Sequence, residues 1–130
     1  VLCYNNPSNE RPWLNSIINK IKLSENVSVH NEDSHFNNII DTKEIINFLE
    51  HVLLNNFESN YSFNFAASHP LIIKDMLLFI KKFFSSISNI EFHSKITTNF
   101  TISNNILTQE LNYKPSSSMD ILTRYLKSIK

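Results

Sequence analysis

Apolar positions along the chain follow two rhythms. Ile45, Phe48, Leu49, Val52 and Leu53 recur at i, i+3, i+4, i+7 and i+8, the spacing of one helix face. Asp41 stands just ahead of this run, where its carboxylate can accept free backbone N–H groups of a first turn. Glu44, three residues on, completes a capping box. The pattern predicts a helix over Asp41–Asn55. Similar stripes occur in Leu14, Ile17, Ile18 and Ile21 behind Pro12, and in Ile73, Met76, Leu77, Ile80, Phe83 and Phe84. A last stripe, Leu122, Tyr125, Leu126 and Ile129, follows the capping residues Ser117 and Asp120. These predict helices over Pro12–Lys22, Ile73–Ser86 and Ser118–Ser128, with a shorter one over Asn104–Leu111.

The second rhythm is alternation. Tyr61-Ser62-Phe63-Asn64-Phe65 places every other residue on one face, as a half-buried strand does. Val27–His30, His35–Ile40 and Ile90–His93 are short β-prone runs, so strands are expected there and at Ser62–Phe65. Trp13 falls beside the first apolar stripe and reads as a partly buried packing residue rather than a ligand platform. The fold class that results is α+β: one small helix-rich domain over residues 1–130, with short strands.

Composition narrows the function. Twelve basic and twelve acidic side chains give a formal net charge of zero, so there is no electrostatic case for nucleic acid or an anionic membrane surface. No apolar run has the length of a membrane span. One cysteine, Cys3, rules out an internal disulfide and fits a reducing, cytoplasmic setting. The chain opens Val-Leu-Cys-Tyr without a methionine, which points to a piece of a longer protein, and no signal peptide is visible. His30, His35, His51, His69 and His93 lack the paired spacing of a zinc site, and no metal is expected. No glycine-flanked serine suggests a nucleophile elbow.

Glycine is absent altogether. Dinucleotide-binding folds need glycine where backbone meets pyrophosphate and where helix packs on strand. No such nucleotide-binding core is therefore expected in this chain.

Three stretches, in order, resemble the NAD-dependent epimerase/dehydratase family, the extended short-chain dehydrogenases. Phe36-x-x-Ile39-x-Asp41 with its apolar helix is similar to the family's Arg-Asp-Phe/Tyr-Ile-His-Val-x-Asp segment. Phe63-Asn64-Phe65 and the turn to Pro70 resemble its Tyr-Asn-Ile-Gly-x-Gly-x-Pro unit, with Ala66 in place of the first glycine and Ile72 where a capping Ser or Thr is usual. Leu111-Asn112-Tyr113-Lys114-Pro115 resembles its Leu-Gly-Trp-x-Pro turn, with Asn112 in place of the helix-terminating Gly. Asn is the non-glycine residue that best tolerates that left-handed position. Tyr4-Asn5-Asn6-Pro7 is similar to the segment that closes the family's nucleotide-binding half.

The resemblance implies the C-terminal, substrate-binding half of such an enzyme, with short strands in two small sheets, at least one parallel. It implies NAD(P) for the intact protein and none in this chain, where the family's catalytic Tyr-x-x-x-Lys does not occur. The implied partners are the missing nucleotide-binding half and a nucleoside-diphosphate sugar, with self-association through an exposed apolar cleft. Carried over position by position, the substrate contacts are Asn9, Arg11, Phe36, His93 and Lys95. The family's first phosphate-binding arginine falls on Ser34, which carries no charge; Arg11, Lys95 and a protonated His93 are the remaining cations. Two other readings stay open: a stand-alone α+β interaction module that has lost substrate binding, and an unrelated small α+β domain.

Overall fold

The computed structural model describes Leu2–Cys3 and residues 13–57, 60–93 and 99–130. Along the chain run β1 (Leu2–Cys3), α1 (Trp13–Lys22), β2 (Val27–His30), β3 (His35–Phe36), β4 (Ile40–Asp41), α2 (Thr42–Asn55), β5 (Leu71–Ile72), α3 (Ile73–Phe83), β6 (Ile90–His93), α4 (Asn105–Gln109) and α5 (Ser118–Ser128). The α+β mixture expected from the pattern is present. Where two small sheets were expected, the described residues hold three two-stranded pairs: β1 with β4 and β2 with β6 in parallel, β3 with β5 antiparallel.

The main core is the meeting of three helix stripes. Leu14, Ile18 and Ile21 of α1, Met76, Leu77 and Ile80 of α3, and Ile121, Leu122 and Leu126 of α5 are fully buried, with Val27 and Val29 of β2 beneath them. A smaller cluster joins Phe48 of α2 to Leu107 and Leu111, ringed by Phe63, Phe65 and Tyr113.

Asp41 caps α2 as expected, its carboxylate accepting from the Glu44 N–H at 2.9 Å. The capping box is not closed as expected, because the Glu44 carboxylate turns inward to Tyr113, Ser116 and Arg124. The buried face of α2 is accordingly rotated from the predicted one. Glu44 and Phe48 are buried, whereas Leu49 and Leu53 are exposed, forming with Ile46 an open apolar stripe.

Two predicted strands are corrected. His35–Ile40 breaks into β3 and β4 at Asn37, whose buried side chain bonds the backbone of Ala67 and Ile102. Residues 61–65 are neither helix nor strand. Their alternation survives, with Phe63 and Phe65 turned toward Phe48, but the backbone next in line is served by a side chain. The Asn104 amide accepts from the Ala66 N–H and donates to the Ala66 carbonyl at 2.7 Å, taking the place of a strand partner.

In a chain without glycine, the left-handed backbone positions among the described residues fall to Ser24, Asn31, Asn56, His69, Ser85 and Asn112. α4 ends at Gln109, capped by Glu110 and short of the expected Leu111; Asn112, at φ 45°, carries the left-handed turn expected there, with the Tyr113 N–H reaching back to the Leu107 carbonyl at 2.8 Å. Ile72, as expected, gives α3 no side-chain cap. The turn before β3 supplies the missing acceptors: the N–H groups of Ile73 and Lys74 donate to the carbonyls of Ser34 and Glu32.

Candidate functional site: an uncharged aromatic cleft

That turn also builds a cleft. Its wall is β3 with residues 31–38, its ends are Trp13 of α1 and Ile73 of α3, and its lip is residues 99–102. The cavity is about 510 Å³, within the range of small-molecule sites. The Trp13 and Phe36 rings meet edge to face at 5.4 Å, and Phe100 stands 80% exposed at the lip. Asn37 ties the lip down: its amide donates to the Ile102 carbonyl at 2.8 Å and accepts from the Ile102 N–H at 2.9 Å. Asn99 makes a second tie, accepting from the His35 backbone N–H at 2.8 Å.

None of the described lining residues is Asp, Glu, Lys or Arg. Aromatic faces with amide and hydroxyl groups suit a planar or polyhydroxylated ligand, held by stacking and neutral hydrogen bonds.

The structure places the sequence-predicted residues unevenly. Phe36 lines the cleft, half-buried, paired with Leu71 across β3 and β5. His93 is exposed at the end of β6, its ring 5.2 Å from that of His30 in the neighbouring strand; it does not line the cleft, though its carbonyl accepts from the Asn31 N–H at the rim. Asn9, Arg11 and Lys95 lie outside the described residues. Ser34, the position of the family's arginine in the resemblance, does line the cleft. Sequence reasoning missed His35, Asn99 and Phe100, and it read Trp13 as packing although Trp13 is 42% exposed and forms one end of the cavity. A pair of asparagines, Asn37-Asn38, interrupting a β-prone run was the available signal.

A second polar convergence is closed. The Arg124 guanidinium binds both oxygens of Asp41, at 2.7 and 3.1 Å, and reaches Glu44 at 3.3 Å. Glu44, 1% exposed, also accepts from the Tyr113 hydroxyl at 2.8 Å and the Ser116 N–H at 3.0 Å. Hydrogen bonding to Asp41 raises the Arg124 guanidinium above its usual value, against the effect of burial. Burial first, then the hydrogen bond and charge of Glu44, push the Tyr113 phenol well above its usual value. The cluster joins α2, the turn after α4 and α5, and lines none of the described cavities; its role is to hold those elements together.

Three helix N-termini are closed to an anion by the chain's own groups. A pyrophosphate is normally received at an open helix N-terminus. Here that of α2 is occupied by Asp41, that of α3 by the carbonyls of Ser34 and Glu32, and that of α5 by Ser117. Among the described residues no group of three or more His, Cys, Asp or Glu is placed to hold a metal ion, and no helix is long and apolar enough to cross a membrane.

No family model matches the sequence. No curated protein matches it either. Solved structures do. A UDP-N-acetylglucosamine 4-epimerase from Bacillus cereus superposes on 98% of this chain with a TM-score of 0.73 at 12% identity. The structure of RMD from Pseudomonas aeruginosa, complexed with NADPH, covers 88% with a TM-score of 0.60, also at 12% identity. The chain spans 43% and 42% of those two proteins, so it has the fold of less than half of each.

Proposed function

We propose that this chain is the substrate-binding part of an NAD(P)-dependent enzyme that epimerises, dehydrates or reduces a nucleoside-diphosphate sugar, and that it is not catalytic by itself. The observation that carries the reading is the fold match to a UDP-N-acetylglucosamine 4-epimerase over nearly the whole chain, with an aromatic cleft built around Phe36. In this reading Phe36 and Trp13 receive the nucleotide, Asn9, Arg11 and Lys95 complete the wall, and His93 stands behind the rim that its carbonyl shares with Asn31. Arg11, Lys95 and protonated His93 offset the diphosphate charge that Ser34 does not. The cofactor belongs to the nucleotide-binding half, which also covers the open Ile46, Leu49 and Leu53 stripe of α2; without it, that stripe drives self-association.

The missing facing wall makes binding to this chain weak, so the test is saturation-transfer NMR with millimolar UDP-N-acetylglucosamine. Transfer to the uracil protons that disappears in the Trp13→Ala/Phe36→Ala double variant supports the reading. Absence of transfer, or transfer unchanged in that variant, overturns it. A second reading, an interaction module that has lost substrate binding, is favoured by one observation: the cleft's described lining carries no cation.

A further inference from the structure

His35 is held at the cleft in one protonation geometry. Its backbone N–H donates to Asn99 Oδ1 at 2.8 Å. A backbone N–H can only donate, so this bond settles which end of the Asn99 amide is oxygen. The other end, Nδ2, then faces His35 Nδ1 at 2.6 Å. An amide NH₂ can only donate, so Nδ1 must accept. In the neutral ring the proton therefore sits on Nε2. Among the described residues no hydrogen bond engages Nε2, and His35 lines the cavity beside Phe36.

We propose that His35 is a specificity residue, presented by Asn99 as an Nε2–H donor that recognises a carbonyl of a nucleobase stacked in the cleft. This rests on the reading that the cleft takes a nucleotide. The chemistry follows from the surroundings. Trp13, Phe36 and Phe100 offer apolar ring surface to a planar base, a contact that does not depend on which base it is. A fixed donor adds discrimination, because it pairs with an exocyclic carbonyl and opposes an exocyclic amino group. Uracil and cytosine share O2, but at position 4 uracil presents a carbonyl where cytosine presents an amino group, and N3 changes from N–H to acceptor; a donor facing position 4 therefore separates them. The site thus selects an oxo base over its amino counterpart, with Asn99 as the positioning residue.

The experiment replaces Asn99 by its isostere, Asn99→Asp, at pH 8.5, where the uracil imide keeps its proton, and the protonation of the His35 ring is read directly. A carboxylate can accept the same backbone N–H but requires a proton on Nδ1, which turns Nε2 into an acceptor. Ring ¹⁵N shifts should report Nε2–H in the parent and Nδ1–H in the variant. The parent should prefer UMP to CMP by about tenfold, and Asn99→Asp should abolish or reverse that preference while far-UV circular dichroism is unchanged. Equal affinity for UMP and CMP in the parent, a preference unmoved in the variant, or a ring proton on Nδ1 in the parent each overturns the proposal. If neither nucleotide binds, the nucleotide reading of the cleft fails, and base recognition with it; the ring shifts then still decide the Asn99 clasp separately.

Discussion

The closed cluster at Arg124 and the open cleft at Phe36 treat charge in opposite ways. At the first, a guanidinium, two carboxylates and a phenol are packed against one another, with hydrogen bonds of 2.7 to 3.4 Å. At the second, a cavity large enough for a ligand has a described lining of three aromatic rings, four asparagines, a serine, a histidine and two isoleucines, with no carboxylate, lysine or arginine among them. Burying a charge is costly unless it is paired, so an internal charge marks where the fold is locked. An uncharged cavity wall has no such demand and can be left open for another molecule. The difference separates what holds the chain together from what it presents.

The sharpest way to break that separation is Arg124→Leu. It leaves Asp41 and Glu44 facing each other without a cation, Glu44 almost fully buried. The expected loss is about 3 kcal/mol, read as a lowered urea midpoint with unchanged slope. Phe100→Ala, at the exposed lip of the cleft, should shift stability by no more than about 0.5 kcal/mol. Equal effects at the two positions would mean that the cleft, too, is a locked element.

The next test adds charge to the uncharged side. Ser34→Arg places a guanidinium in the cleft wall, where the family resemblance has one. In the proposed reading, affinity for UDP-N-acetylglucosamine should rise about tenfold at low ionic strength, a gain largely screened near 0.5 M salt. An unchanged affinity would place the diphosphate away from Ser34.

How much of this was legible in the sequence follows the same division between local and distant causes. The Asp41 cap, α5 behind Ser117, and the strands Val27–His30 and Ile90–His93 depend on neighbours a few residues away, and periodicity finds them. The turn at Asn112 was also local, because it asks only for one residue that tolerates a left-handed backbone. By contrast, Asn37 and Asn104 replace strand partners with amide side chains whose targets lie 30 to 65 residues away. No spacing rule reports such bonds, so two strands were misread. Periodicity revealed that α2 has an apolar side, but not that Glu44 would turn inward with Phe48 and leave Leu49 and Leu53 uncovered. Of the cleft, Phe36 was found through family resemblance; Trp13, His35, Asn99 and Phe100 come together only through the turn at Asn31 and the ties to residues 99–102.

The smallest effect sharpens the closed side of the comparison through pH. The Tyr113 hydroxyl donates to a buried carboxylate, and Tyr113→Phe removes that bond, at a cost of about 1 kcal/mol near neutral pH. Its phenol is raised in the folded chain, by burial first and then by Glu44, whereas the unfolded phenol ionises near about pH 10. The folded chain therefore holds this proton more tightly than the unfolded one does. The contribution is complete below the unfolded value, and it diminishes as pH rises above 10, because unfolding then releases a proton. The additional slope is at most about 1.4 kcal/mol per pH unit. Urea denaturation at pH 7, 10 and 11 should show the parent losing stability faster than Tyr113→Phe across the last interval, so that the two curves converge. Parallel curves would mean that Tyr113 shares its environment with water and that the cluster is less closed than its hydrogen bonds describe.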